Sequence, residues 1–303
     1  MRDPLVLDIK GNSLDDGFGV RTVVFFKGCP LSCIWCHNPE SKKVNKELSF
    51  DSEACINCGT CRSICKKNAL SMSNKYYVDR SKCDMCFSCT KSCPSKALSV
   101  VGEEMTVEDI LDVVLKDKIF FDISGGGLTV SGGEATMFPE FVGELLKKCK
   151  QYGVHTLLET CGFFDYNKVR AYMLPYLDHI YFDLKIHDRE KHKKYCGVYN
   201  DKILENFKKL LEDSKTFGFS ILPRTPLIPE ICDTDENLIG NAKFLKELGV
   251  TKSQLLPYNP TWYPKTHKLG LEEPTELSSY TGFQSKEKIE HCKQIYRDYG
   301  IQV

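Results

Sequence analysis

Six short apolar runs recur along the chain, at 22–26, 128–130, 155–159, 179–183, 219–222 and 252–256, with polar stretches of helical spacing between most of them. Runs this short, rich in Val, Ile, Leu, Phe and Tyr, read as strands. Helical periodicity covers 138–152, 165–174, 201–213 and 235–248, and a stretch from Thr106 to Asp117 opens on a capping threonine with an acidic first turn. A last helical stretch at 284–298 is placed to cover one end of the sheet. Strands alternating with helices predict an α/β domain built on a parallel sheet. Six such units are too few to close the usual eight-unit barrel. The pattern therefore predicts a partial (β/α)6 barrel of the TIM type.

The alternation breaks once. From about Lys42 the chain turns lysine-rich and loses its strand pattern, which returns after about 102. This divides the chain into a barrel formed by 1–45 and 102–303 and an inserted domain at 46–101. A chain of 303 residues, 42% of them hydrophobic, has apolar material for one large core and a small satellite. Lys plus Arg equals Asp plus Glu at 41 each, so no global field favours nucleic acid or an anionic membrane. The start of the chain is too charged for a secretory leader, and no run approaches the ~18 apolar residues of a spanning helix. A cytoplasmic protein is expected, with neither nucleic acid nor membrane as a partner.

The sixteen cysteines change the picture, because in a chain without a leader they point to metal rather than to disulfides. Eleven fall between Cys29 and Cys93. Within the insert, Cys55, Cys58, Cys61 and Cys65 share their spacing with Cys83, Cys86, Cys89 and Cys93, which Pro94 follows. Each copy matches the bacterial ferredoxin run, in which the fourth cysteine ligates the other copy's cluster. The expected ligand sets are Cys55, Cys58, Cys61 with Cys93, and Cys83, Cys86, Cys89 with Cys65, making a ferredoxin-like domain with two 4Fe-4S clusters. Lys66 stands where the first copy would carry proline. Zinc knuckles are the alternative. The remaining Cys149, Cys161, Cys196, Cys232 and Cys292 are scattered and read as small buried hydrophobes.

A second cysteine pattern follows the first strand. Cys29, Cys33 and Cys36, spaced CxxxCxxC with Trp35 before the last, can hold three irons of a cube and leave the fourth without a protein ligand. Soft thiolates select iron–sulfur clusters or zinc, but zinc wants a fourth ligand close by, and His37 is too near Cys36 to serve easily. The loop resembles that of the radical S-adenosylmethionine (SAM) superfamily, in which the amino and carboxylate groups of SAM chelate the open iron.

Chemistry in such sheets collects at the carboxyl ends of strands. Those ends read Ser131-Gly132-Gly133-Glu134, Glu159-Thr160-Cys161-Gly162, Asp183-Leu184-Lys185, Arg224, and Pro257-Tyr258-Asn259. Each is ordinary alone; five polar ends behind one three-cysteine loop suit a ligand with many separate polar groups. Together with Asp16-Gly17-Phe18-Gly19-Val20-Arg21, they resemble the activating enzymes of glycyl radical enzymes, in the subgroup with a two-cluster insertion.

The resemblance implies that Cys29, Cys33 and Cys36 bind the SAM cluster, with Trp35 beside it. Gly132, Gly133 and Glu134 would hold the methionyl amino group. Thr160, Asp183, Lys185 and Arg224 would contact the methionyl carboxylate, the ribose or a monovalent cation near Asp183, and Asn259 would take the place of a SAM-contacting histidine. Asp16 and Arg21 would face the partner. Phe18, Ala135, Asn259 and Glu159 depart from the family's usual Pro, Pro, His and Asp. The stretch from Asn259 to Gly270, rich in proline and aromatics, is either a docking element or a stiff surface loop.

The implied activity is reductive cleavage of SAM to methionine and a 5'-deoxyadenosyl radical, which takes a hydrogen atom from one backbone glycine of a large partner enzyme. Three 4Fe-4S clusters, SAM, a flavodoxin or ferredoxin donor and a monomeric chain complete the expectation. The rival readings are a radical SAM enzyme acting directly on a peptide or small molecule, and a non-catalytic electron carrier, which would leave most of the chain without a purpose.

Overall fold

The computed structural model of the chain describes residues 3–303; Met1 and Arg2, which open the 1–45 segment, lie outside the described residues. The chain enters on β1 (Leu5–Ser13) and returns as its antiparallel neighbour β2 (Arg21–Lys27). After the cysteine loop comes a separate small unit: β3 (Glu47–Phe50), the short helices α1 (Thr60–Ile64) and α2 (Ser88–Lys91), and β4 (Leu98–Val101), paired antiparallel with β3. β5 (Glu103–Glu104) pairs with β1, and α3 (Val107–Leu115) and α4 (Lys118–Ser124) lead into β6 (Gly127–Gly132). Then follow α5 (Pro139–Gln151), β7 (His155–Thr160), α6 (Tyr166–Tyr172), β8 (His179–Asp183), α7 (Arg189–Cys196), α8 (Asp201–Phe217) and β9 (Ser220–Leu227). The chain ends with α9 (Asp235–Glu247), β10 (Gln254–Pro257), α10 (Tyr263–Lys268) and α11 (Lys286–Asp298).

The main sheet runs β10-β9-β8-β7-β6-β2-β1-β5. Its six strands from β2 to β10 are parallel and coincide with the six predicted runs. This mostly parallel α/β sheet is consistent with a partial TIM-type barrel. β1 was not foreseen, because a strand beside the sheet's edge with Asp8 and Lys10 exposed lacks a full apolar run. α7 was also missed: only His192 and Cys196 on it are buried. α11 packs beside α9 and along β10, the last strand of the sheet.

Side chains alternate across each strand. Val24, Phe26, Leu128, Val130, Leu158, Ile180 and Phe182 face the helices in the main core, where α5 contributes Val142, Leu145 and Leu146. The opposite face carries Ser131, Glu159, Asp183 and Arg224 toward the concave side. A second core of Leu31, Trp35, Ile186, Ile228, Tyr258 and Trp262 surrounds the cysteine loop. Tyr258 and Trp262 are almost fully buried, so the 259–270 stretch is anchored in this core and is not a loop lying on the surface. The unit at 47–101 has its own core, built from Leu48, Leu70, Tyr77, Val78, Leu98 and cysteines. No helix among the described residues is long and apolar enough to cross a membrane.

Candidate active site

All five strand ends from β6 to β10 and the loop of Cys29, Cys33, Trp35 and Cys36 line one cavity of about 270 Å3. Three segments fix the loop. Gly28 opens it at φ 122°, a left-handed value that favours glycine, and its N–H donates to the Ser41 carbonyl at 2.6 Å while that of Cys29 donates to Lys42 at 3.1 Å. At the end of α7, the carbonyls of Cys196 and Tyr195 accept from Ser32 (2.9 Å) and Ile34 (3.1 Å). At the end of β6, Gly133 donates to Phe26 and Glu134 to Gly28, both at 2.8 Å. A Cβ on Gly132 would lie 2.2 Å from Phe26 backbone, and one on Gly133 2.2 Å from the Gly28 carbonyl, so only glycine lets this strand end touch the root of the loop.

Gly132 and Gly133 line the cavity, but Glu134 departs from expectation. Its carboxylate is buried away from the cavity and accepts from Thr136 Oγ1 (2.6 Å), Thr160 Oγ1 (2.8 Å) and the Cys161 amide (2.7 Å). Through these bonds it positions the end of β7.

A charge cluster spans the ends of β7, β8 and β9. Arg224 Nη1 donates to Glu159 Oε1 at 2.6 Å, its Nε and Nη2 donate to Asp183 Oδ1 at 3.1 and 3.0 Å, and Lys185 Nζ donates to Asp183 Oδ2 at 2.8 Å. Ser131 donates to Glu159 Oε2 at 2.6 Å. Burial opposes ionisation of Asp183, but Lys185 and Arg224 outweigh it and hold the carboxyl below the usual range. Burial likewise opposes charge on Lys185 and Arg224, and their carboxylate partners raise both. Two cations and two carboxylates thus sit balanced in a dry wall. Each of their carboxylate oxygens accepts at least one hydrogen bond.

The cysteines differ among themselves. A hydrogen bond with Cys196 draws Cys33 down to about 7 against burial, with help from Lys185 and Lys42. Burial pushes Cys36 up to about 12. Burial, then Lys265 and Lys185, lowers His37 to about 4, so a neutral imidazole stands at the cavity's rim.

Beside the cavity lies a groove of about 780 Å3 that shares His37 and Asn38 with it and is further lined by Asp16, Phe25, Lys265 and Lys268. Asn259 belongs to this groove; its Oδ1 accepts from Thr261 N–H, and Tyr258 takes its expected place in the cavity. Asp16 faces the groove as well. Arg21 does not: it is fully buried, with Nε donating to Thr129 Oγ1 at 2.6 Å and Nη2 to the Leu128 carbonyl at 2.5 Å, and burial lowers it to about 10. It offers no side chain to a partner and holds the 14–20 loop from within, through the Phe18 carbonyl.

The insert repeats in backbone as well as in sequence. Asn57 and Gly59 in the first copy, and Met85 and Phe87 in the second, have positive φ at matching offsets from the cysteines, as do Asn68 and Lys96. Left-handed Met and Phe are unusual and persist only where surroundings impose them. Cys55, Cys58, Cys61 and Cys93 line one small cavity with Tyr77, while Cys65, Cys83 and Cys89 lie in the same core. Among the described residues, no three Cys, His, Asp or Glu side chains lie close enough to share one ion.

Sequence reasoning gave no site role to Lys42, His37 or the Tyr195-Cys196 end of α7, and named Tyr258 only within the last strand end. Gly197 directly after a polar, helix-forming stretch was the available signal for that end.

The sequence profile of the Radical SAM superfamily matches residues 80–239, and that of a 4Fe-4S single cluster domain matches 15–69. The trans-4-hydroxy-L-proline dehydratase activating enzyme of Clostridioides difficile is 38% identical, covering 97% of this chain and 96% of that protein. The choline trimethylamine-lyase activating enzyme of Oleidesulfovibrio alaskensis is 35% identical, covering 100% and 98%. A solved radical SAM methyltransferase from Sphaerobacter thermophilus shares the fold with a TM-score of 0.55 at 14% identity, covering 99% of this chain and 75% of that one. The chain belongs to the radical SAM superfamily and, within it, to the activating enzymes of glycyl radical enzymes.

Proposed function

We propose that this activating enzyme cleaves SAM reductively and removes a hydrogen atom from one backbone glycine of a partner glycyl radical enzyme. The observation that carries the reading is the single cavity in which the three-cysteine loop meets the ends of all five strands from β6 to β10, adjoining at His37 and Asn38 a groove of about 780 Å3. When bound, the cluster and SAM supply the one-electron cleavage and the hydrogen-abstracting species. The protein's own part is positioning. Cys29, Cys33 and Cys36 each hold one iron, and the close-packed backbone of Gly132 and Gly133 receives the methionyl amino group. Lys185 and Arg224, kept charged by Asp183 and Glu159, face the methionyl carboxylate, while Thr160 and Trp35 complete the wall. His37 and Asn38 stand where cavity and groove meet, and Asp16 lines the path by which a glycine-bearing loop reaches the site.

For the 46–101 unit the reading is a ferredoxin-like domain with two 4Fe-4S clusters, held by Cys55, Cys58, Cys61 with Cys93 and by Cys83, Cys86, Cys89 with Cys65. The repeated left-handed residues and the shared cavity of the first set support it. A flavodoxin or ferredoxin donor, a monomeric state and a cytoplasmic location go with this reading. Relatives of similar identity are named for a dehydratase and for a lyase, so the partner is to be identified from the polypeptide that receives the radical.

Replacing Cys33 with alanine in the reconstituted protein tests the assignment. It should abolish methionine and deoxyadenosine formation while leaving the iron of the insert in place. Full turnover by the variant would sink the reading.

A further inference from the structure

The first three cysteines of the two sets match in burial, and the sets differ in the hydroxyls that reach them. In each copy the first cysteine is half-buried, the second exposed and the third buried. Yet three sulfurs of one set have a hydroxyl beside them. Tyr77 Oη lies 2.9 Å from Cys61 Sγ, Thr60 Oγ1 3.4 Å from Cys58 Sγ, and Ser95 Oγ 3.7 Å from Cys93 Sγ. Among the described residues no side-chain hydroxyl reaches Cys65, Cys83, Cys86 or Cys89. The contacts there are the Ala69 amide, 3.4 Å from Cys65 Sγ, and the Met85 thioether, 4.0 Å from Cys83 Sγ.

Tyr77 is built into its place. Its ring is buried and stacks on Phe50 with centroids 4.2 Å apart. Its backbone sits at φ 62°, an outlier for a bulky residue. The turn is held by Tyr77 N–H donating to Asn74 at 2.9 Å and Ser71 N–H donating to Tyr77 at 3.0 Å. That turn directs the phenol into the cavity of Cys55, Cys58, Cys61 and Cys93.

A metal-bound thiolate has no proton to give, so the phenol is the donor. Reduction places one more electron on the cluster and its sulfurs, and a hydrogen bond donated to sulfur favours the more negative state. We propose that Tyr77 sets the reduction potential of the cluster held by Cys55, Cys58, Cys61 and Cys93 above that of its neighbour, making it the electron sink of the pair. Thr60 and Ser95, being farther away, add smaller contributions to the same cluster. The inference rests on the two-cluster reading of the insert.

The test is an anaerobic redox titration of the full, reconstituted chain, followed by electron paramagnetic resonance after the iron has been counted. Tyr77→Phe keeps the ring and removes only the hydroxyl. It should make reduction of one accessory cluster about tenfold less favourable, ~59 mV for a one-electron couple, and leave the other two clusters unmoved. The cluster that moves should be the higher of the accessory pair in the unaltered protein. Should the variant lose iron, 3-fluorotyrosine at 77, a stronger donor, should shift the same potential upward. Unchanged potentials in an iron-replete Tyr77→Phe or 3-fluorotyrosine protein, equal shifts in both accessory clusters, or a shift in the lower one would overturn the inference. Iron sufficient for fewer than three clusters in the unaltered, reconstituted protein would overturn the two-cluster reading itself, and the inference with it.

Discussion

The carbonyl of Cys196 accepts from the Ser32 amide at 2.9 Å, so the loop that carries Cys29, Cys33 and Cys36 takes part of its shape from the last turn of a helix far along the chain. The helix can end there because Gly197 adopts φ 86°.

Gly197→Ala should therefore damage the cluster site without touching a ligand. A Cβ at this position would lie 2.1 Å from Ser32 Oγ, and a left-handed alanine costs about 1–2 kcal/mol by itself. The expected result is lower thermal stability and loss of the three-cysteine cluster's signal, with the insert's iron retained. Wild-type iron content and an unchanged signal would show that α7 does not hold the loop.

The charge cluster makes a different prediction. Arg224→Met would leave the largely buried Glu159 without its cation and Asp183 with Lys185 alone, and breaking a buried pair in this way typically costs about 3–5 kcal/mol. SAM affinity should fall more than tenfold, measured by anaerobic calorimetry. Adding Glu159→Gln should recover part of the stability, because the two positions share one interaction. Additive losses in the double variant would mean that the pair is not coupled.

Stability should also fall on the acid side of neutrality. His179, at the start of β8, is lowered to about 4 by burial, with His155, Arg21 and Lys252 adding to the effect. Its free value is about 6.5. Between these values the unfolded chain binds the proton and the folded chain does not, so the contribution is complete above about pH 6.5 and is lost as the pH falls toward 4. Urea midpoints across that window should decline, and His179→Gln should flatten the decline. Equal slopes for the two proteins would remove His179 from the account.

How far the sequence carried can be judged from particular residues. The six parallel strands were legible as short segments with apolar residues between helical stretches, whereas β1 and α7 were hidden because each buries little and its pattern is mostly polar. The polar strand ends were legible as candidates because a β-strand's period places Ser131, Glu159 and Asp183 on the face opposite the core. The positions of Glu134, Asn259 and Arg21 outside the cavity lining were not legible. Glu134 and Asn259 lie where the chain leaves its strand, and local sequence does not say to which side it turns. Arg21 is satisfied by Thr129 and Leu128 on the neighbouring strand, partners that only the folded sheet supplies.

The central claim is that the cavity and groove serve radical transfer to a protein glycine. Its most direct test is electron paramagnetic resonance of the anaerobically reconstituted protein, incubated with SAM, a strong reductant and a candidate glycyl radical enzyme. The account predicts an air-sensitive doublet on the partner, about one SAM consumed per radical installed, and cleavage of the partner at a single glycine when air is admitted. Continuous SAM turnover with no doublet, and with the partner intact after exposure to air, would contradict it.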